Sequence, residues 1–456
     1  MATRKKPVFV CNDCGAEYTK WQGQCSECKA WNTLVEMRLG NQARAVKSSR
    51  SGYAGHIESE IKTLSEIKLD DVPRVSSGSE ELNLVLGGGL VQGSCVLLGG
   101  EPGAGKSTLL LQVLSHLAST NPALYVSGEE SSQQIAMRAS RLELPMSQLK
   151  IVSETSAENL CAIIETHKPA ILIVDSIQVM HVDDIDSAPG SVAQVRESAA
   201  MLVRLAKQTG MVLIIVGHVT KDGTLAGPKV LEHMIDCSLM LEVSTDSHFR
   251  MIRSHKNRFG AVNELGVFAM TDRGLKEVSN PSAIFLQRDS EVSPGSAVTS
   301  TWEGSRPLLV ELQALVSDSP LGNPRRVTVG LDQNRLSMLL AVLQRHGGIM
   351  VGDQDVYVNV VGGIKILETS ADLALILCVL SSLKNLSLPS DLLVLGEIGL
   401  AGEIRPVVNG QERLREAEKH GFRSAIVPTA NNPKKKMQKM RVIPVKKLAD
   451  AMDVFF

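Results

Sequence analysis

The run Val96-Leu97-Leu98-Gly99-Gly100-Glu101-Pro102-Gly103-Ala104-Gly105-Lys106-Ser107-Thr108 decides the fold. A short apolar strand leads into the pattern G-x-x-x-x-G-K-[ST], and residues 108–117 continue as a helix. That strand–loop–helix context is the one in which the pattern binds nucleotide phosphates. The glycines let backbone N–H groups turn inward around phosphate oxygens, and the helix N-terminus adds its dipole. All nine residues, Gly100 to Thr108, are candidates for holding ATP. Lys106 would neutralise the β- and γ-phosphates, and the Ser107 hydroxyl would ligate Mg²⁺.

Outward from this loop the same architecture repeats. Leu124-Tyr125-Val126, Ile171-Leu172-Ile173-Val174 and Val212-Leu213-Ile214-Ile215-Val216 are short apolar runs suited to strands covered on both faces. Helical patterns separate them, the longest over residues 192–208. The alternation predicts an α/β domain with a parallel sheet, spanning residues 57–285. Asp175 ends its strand, expected beside the P-loop strand, and is the candidate second Mg²⁺ contact. Glu129 and Glu130 follow the strand at 124–127 and emerge at the same sheet edge. One of them should orient or deprotonate the attacking water, Glu129 being preferred, and the other start a helix. Gly217-His218-Val219-Thr220-Lys221 ends another strand there and is a candidate sensor of the γ-phosphate.

The ends of the chain differ from this core. Cys11-x-x-Cys14 and Cys25-x-x-Cys28, ten residues apart, have the spacing of a four-thiolate knuckle, and tetrahedral Zn²⁺ takes both pairs. All four positions come from protein, so the site is structural. Residues 1–36 form this zinc ribbon and 37–56 read as a polar linker. Residues 1–50 hold nine Lys/Arg against four Asp/Glu. Cys95, Cys161, Cys237 and Cys378 stand singly among apolar neighbours and read as buried thiols. Residues 286–456 mix strands with helical patterns at 371–383 and 411–420, predicting a separate α+β domain.

Together these elements resemble the bacterial RadA/Sms family of DNA-repair proteins over essentially the whole chain. The most specific residues are Lys256-Asn257-Arg258-Phe259-Gly260, a pentapeptide that is the family's signature. The resemblance implies a RecA-like P-loop ATPase core, an N-terminal zinc ribbon and a C-terminal Lon-protease-like domain. It also implies a hexameric ring that acts in homologous recombination beside a RecA-type recombinase. Such a ring binds single-stranded DNA and drives branch migration of recombination intermediates. Lys256 and Arg258 would then serve ATP-coupled function, reaching either a neighbouring subunit's γ-phosphate or a DNA phosphate.

Lon-type proteases pair a serine with a lysine that activates it. Here Ser370 stands at the nucleophile's place in Glu368-Thr369-Ser370-Ala371-Asp372, but Gln411 falls where the lysine would be. Neither an amide nor the nearby Arg413 guanidinium can act as the base. The domain is therefore expected to lack peptidase activity and to serve as a scaffold for assembly and DNA binding. Seven Lys/Arg and no acid between residues 431 and 448 support that role. Two other functions fit parts of the sequence: an ATP-switched mediator that loads a recombinase without moving, and an ATP-dependent peptidase.

Composition bounds this reading loosely. The 456 residues, 43% hydrophobic, suffice for two or three domains and exclude a largely disordered chain. No stretch is long and apolar enough for a membrane span, and no signal peptide is visible, so a cytoplasmic protein is expected. The net charge of −1 would by itself argue against nucleic acid. The sum hides basic terminal segments offset by acids such as those at 183–186.

Overall fold

The computed structural model describes residues 8–11, 13–37, 73–217, 229–243, 248–278, 280–284, 286, 293–319 and 322–456. The expected linker after Met37, the first residues of the expected ATPase domain, and the loop residues His218 to Lys221 lie outside them. The chain divides into two compact units, Met1–Val278 and Ser279–Phe456.

The first unit opens with a small antiparallel sheet, β1 (Val8–Cys11), β2 (Glu17–Tyr18) and β3 (Leu34–Met37), with β1 in the centre. A second pair, β4 (Arg74–Val75) and β5 (Leu90–Val91), flanks α1 (Glu80–Leu86). The main alternation then runs β6 (Cys95–Gly100), α2 (Lys106–Leu117), β7 (Ala123–Ser127), α3 (Ser132–Arg141), β8 (Lys150–Ser153) and α4 (Ala157–His167). It continues through β9 (Ile171–Asp175), α5 (Val192–Thr209), β10 (Val212–Val216), α6 (Lys229–Met234) and β11 (Cys237–Val243). Three antiparallel strands follow, β12 (Phe249–Asn257), β13 (Leu265–Thr271) and β14 (Gly274–Glu277). Together they make a nine-stranded sheet in the order β14-β13-β12-β11-β6-β10-β9-β7-β8.

The physical basis is the two-sided burial that the apolar runs require. Val96, Leu98, Ile171, Ile173, Val212 and Ile214 enter one core with α1 and α2. Their neighbours Leu97, Leu172, Val174, Leu213 and Ile215 enter another with α4, α5 and α6. Alternate residues of one strand thus feed opposite cores, which continuous aliphatic runs permit and alternating polar ones do not. Local signals bound the longest helix: the Ser191 side chain accepts from the Gln194 N–H, and Gly210 closes the other end in the left-handed region.

One expectation fails here. The strand that carries Asp175 does not neighbour the P-loop strand, because β10 lies between β6 and β9. All five residues of β10 are apolar and buried, so it is equally suited to a central place. One strand spacing is about 4.8 Å, so this insertion sets the two strand ends roughly 10 Å apart. A gap of that size leaves room for phosphate groups above the middle strand.

The second unit contains α7 (Pro281–Ile284), β15 (Ser296–Glu303), β16 (Arg306–Asp318), β17 (Arg326–Val329), α8 (Gln333–Gly347), β18 (Gln354–Val360) and α9 (Asp372–Lys384). It ends with β19 (Leu392–Val394), β20 (Glu397–Ile398), β21 (Ile404–Arg405), α10 (Gly410–Lys419), β22 (Ser424–Pro428), β23 (Arg441–Val445) and α11 (Leu448–Met452). Its mixed seven-stranded sheet runs β17-β18-β16-β15-β19-β22-β23, and α9 is buried along most of its length.

Candidate nucleotide site and metal centre

The phosphate-binding turn sits where β6 ends and α2 begins. Gly105 caps α2 at φ +107°, a conformation L side chains rarely adopt, and a Cβ there would meet Met270 Cε at 2.8 Å. No side chain caps the helix, so its first N–H groups remain for an anion. Lys106 is buried and folds back over the loop, its Nζ donating to the carbonyls of Gly100 (2.7 Å) and Glu101 (2.9 Å). Burial lowers its pKa, while Asp175 and Glu129 act in the opposite direction. The sheet therefore brings into one electrostatic neighbourhood the three residues that sequence reasoning had to collect from separate strands.

The two glutamates are told apart by their partners. Glu130 is ion-paired to Arg138 of α3, and its own N–H donates to Ser127 Oγ at 3.0 Å. Glu129 is exposed at the strand edge and accepts a hydrogen bond from the Ser176 hydroxyl. Asp175 is buried and accepts from Tyr125 Oη, while its carbonyl accepts from the Gly128 N–H at 3.0 Å. Burial and the adjacent Asp175 carboxylate push the Tyr125 hydroxyl well above the usual tyrosine range, so it stays a donor. Ser107 and Asp175 are the residues that could hold Mg²⁺.

Sequence reasoning missed Tyr125, Ser176 and Arg250. A tyrosine inside an aliphatic strand was the available signal for the first, because a buried hydroxyl requires a partner. Arg250, near the start of β12, donates from Nε to the Ala104 carbonyl at 3.1 Å and so touches the phosphate loop itself. Nothing in its neighbourhood in sequence announces this; antiparallel pairing of β11 with β12 puts it there.

The signature Lys256–Gly260 lies elsewhere. Pairing sets Ser238 opposite Lys256, whereas Leu241 pairs with Gly100, so the pentapeptide occupies the sheet edge away from the phosphate loop. Three residues of β11 separate these two register positions, about 10 Å at 3.3 Å per residue. Lys256 Nζ donates to the Glu232 carbonyl. Arg258 is 57% exposed and pairs at 3.3 Å with Asp236, a buried carboxylate that also accepts from Lys207 and from the Cys95 N–H (2.9 Å). Gly260 is packed so closely on Gly87 that a Cβ would stand 2.6 Å from the Gly87 Cα. Asn257 Nδ2 donates to the Val85 carbonyl at 3.2 Å. Neither Lys256 nor Arg258 is brought to the nucleotide site of its own chain.

The four expected metal ligands do converge. The Sγ atoms of Cys11, Cys14, Cys25 and Cys28 all lie within 4.8 Å of one another, with Cys11 to Cys28 at 3.6 Å and Cys14 to Cys25 at 3.4 Å. Tetrahedral zinc at about 2.3 Å from each sulfur needs S–S separations near this range. Burial and the other three sulfurs push Cys14 up to about 12. Cys25 is shifted the other way: against its burial, hydrogen bonds from Tyr18 and the backbone draw it down to about 6, so the four thiols differ and a cation would be needed to hold all of them as thiolates. The remaining cysteines are inert by comparison: burial raises Cys95 and Cys237 to about 12 and Cys161 to about 11.

In the second unit Ser370 is buried beneath Arg413, not beside Gln411. Arg413 is 1% exposed and donates to both Glu368 carboxylate oxygens at 2.7 Å and to Ser370 Oγ at 3.2 Å. Ser370 donates in turn to Glu368 at 2.7 Å. Gln411 is engaged instead with the Asn431 carbonyl at 2.9 Å. The serine thus faces a permanently charged donor and an ion-paired carboxylate. The basic run at 431–448 is exposed at Lys434, Lys435, Lys436, Lys439, Arg441, Lys446 and Lys447. No helix among the described residues is long and apolar enough to cross a membrane.

Comparison with known proteins places each part. Residues 62–224 match the AAA domain family, 9–36 the rubredoxin metal binding domain, and 331–431 the subunit ChlI of Mg-chelatase. The chain is 64% identical over 454 residues to the DNA repair protein RadA of Haemophilus influenzae, covering 100% of this chain and 99% of that one. It is 62% identical over 457 residues to the RadA of Escherichia coli K12, covering 100% and 99%. The RadA of Bacillus subtilis is 45% identical over 454 residues, covering 98% of each.

Proposed function

The chain belongs to the RadA family of DNA repair proteins, with a RecA-like ATPase core, a zinc ribbon and a Lon-like C-terminal domain, and from that premise we propose that it is an ATP-driven motor on DNA. Its cofactors are ATP, Mg²⁺ and Zn²⁺. The motor binds single-stranded DNA and promotes branch migration of recombination intermediates beside a RecA-type recombinase. It works in the cytoplasm as a homo-oligomer, a hexameric ring.

The observation that carries this reading is the separation of Lys256 and Arg258 from the phosphate loop of their own sheet. A basic pair held at the far edge is unused by its own nucleotide, and by exchanging the Glu232 carbonyl and the Asp236 carboxylate it would serve a neighbouring subunit's γ-phosphate or a DNA phosphate. ATP is held by Gly100 to Thr108, with Lys106 on the phosphates and Ser107 and Asp175 on Mg²⁺. Glu129 activates water at the same edge. The C-terminal domain is proteolytically inactive, since Arg413 stands on Ser370 and cannot accept its proton. Its exposed basic run contributes to DNA binding.

A branch-migration assay on a three-strand intermediate tests the proposal with wild type, Lys106→Ala and Lys256→Ala. Both variants should fail, the first with nucleotide binding lost and the second with it kept. Recombinase loading without directional movement in the wild type would instead identify an ATP-switched mediator.

A further inference from the structure

The zinc ribbon builds its core from Cys11, Cys25 and Leu34, with Phe9, Cys14, Ala16 and Tyr18 packed against them. Phe9 and Tyr18 are thus used inside. Both tryptophans are left outside: Trp21 is 57% exposed and Trp31 is 69% exposed. The third tryptophan of the chain, Trp302, lies instead under the Arg413 guanidinium at 5.7 Å.

The two exposed indoles are neighbours. A Cβ on Gly23 would lie 3.8 Å from Trp21 Cη2 and 3.8 Å from Trp31 Cζ3, so both six-membered rings border the same small volume, which glycine leaves empty. The backbone that carries them is fixed. Gln24 pairs with Trp31, the Asn32 N–H donates to the Gly23 carbonyl at 2.7 Å, and the Cys25 N–H donates to Ala30 at 2.9 Å. Since Cys25 is a metal ligand, the metal centre itself anchors the ring-bearing turn. The backbone of the turn is therefore in place before any ligand arrives, and only the ring torsions remain to be ordered.

Exposed indoles on a fixed turn beside an open gap suit flat π-faces, and unpaired bases are the flat groups a DNA repair protein meets. Bases in a duplex are already stacked and present no face. Lys20 and Lys29, both exposed, stand next to Trp21 and two residues before Trp31 in sequence. Residues 1–7 and 38–50 add seven Lys/Arg and no acid on either side of the ribbon. Lys20 and Lys29 favour the phosphates, and the ribbon's own four acids leave stacking, not charge, as the specific grip.

We propose that Trp21 and Trp31 form a stacking site for unpaired bases of single-stranded DNA, with Gly23 keeping the space between the rings open. This rests on the single-stranded DNA binding proposed above. Base–aromatic stacking at such sites corresponds to about five-fold to a hundred-fold in affinity per base.

The test uses full-length, zinc-loaded protein and a labelled twenty-nucleotide oligothymidine, with an abasic strand and a duplex of equal length as controls. Trp21→Ala and Trp31→Ala should each weaken oligothymidine binding by about five-fold or more. Trp21→Phe and Trp31→Phe should recover most of that loss, and Gly23→Val should reproduce it by filling the gap. Binding of the abasic strand should be unchanged in every variant, as should zinc content and DNA-free ATP turnover. Oligothymidine should quench wild-type tryptophan emission and leave the residual Trp302 emission of the Trp21→Ala/Trp31→Ala variant unaffected. If the wild type binds oligothymidine and the alanine variants bind it equally well, the stacking site is refuted while the motor reading stands. Equal oligothymidine binding together with loss of recombinase binding makes the pair a protein-docking site and refutes the inference too. A wild type that binds no single-stranded DNA overturns the parent reading and the stacking site together.

Discussion

Replacing Glu129 by Gln separates the two candidate bases more sharply than any other change. The amide keeps the side-chain volume and can still accept the Ser176 hydroxyl, so the strand edge is preserved while the proton acceptor is lost. General-base catalysis contributes about 10²- to 10⁴-fold, or roughly 3–5.5 kcal/mol at 1.4 kcal/mol per decade. Turnover should fall by that factor. Affinity for ATP should hold or rise, because Glu129 is one of two carboxylates whose field reaches buried Lys106, and removing it makes the pocket less repulsive to phosphate. Glu130→Gln should behave otherwise. It loses an ion pair with Arg138 in which the side chains are 31% and 21% exposed, an interaction worth about 0–1 kcal/mol. Its turnover should stay within about five-fold of wild type. Phosphate release at saturating Mg-ATP, alongside titration of a fluorescent nucleotide analogue, measures both quantities. Near-normal turnover in Glu129→Gln with a hundred-fold loss in Glu130→Gln would reverse the assignment and with it the argument from partners.

Arg413→Ala should destabilise the second unit by about 3–5 kcal/mol, since it strands a half-buried carboxylate, and lower its melting temperature by roughly 6–20 °C in calorimetry. The pH dependence follows from the same pair. Although burial pushes the other way, Arg413 holds the Glu368 carboxyl below its ordinary 4.5, so the stability it confers is complete above that value and is lost as pH falls through the lowered one. The gap in melting temperature between wild type and Glu368→Gln should accordingly shrink in acid. Arg250→Ala should raise the KM for ATP by roughly ten-fold or more, the value of a charged hydrogen bond to the Ala104 carbonyl, with a smaller effect on kcat. Cys25→Ser should abolish zinc binding, read by metal analysis, and unfold residues 8–37 while DNA-free ATP turnover persists.

Much of this protein was legible locally. The phosphate loop and the cysteine knuckles are contiguous patterns whose chemistry depends on short-range geometry, so spacing alone singles out Gly100 to Thr108 and the four cysteines as candidates, and the fold sets the first at a strand–helix junction and brings the second together. The two-sided strands were legible for the same reason, as uninterrupted aliphatic runs admit few other environments.

Strand order was not, and here the sequence misled. Nothing in Ile171–Asp175 says that β10 will stand between it and β6, because both strands are equally apolar and only packing of the whole sheet ranks them. The same holds for Arg250 at the Ala104 carbonyl, for Arg138 on Glu130, and for Arg413 on Ser370, pairs separated in sequence by 146, 8 and 43 residues. A motif records which groups a site needs within reach of one another along the chain. Which distant charge arrives to complete or silence it is decided by side chains meeting across strands, and those meetings exist only once the fold has closed.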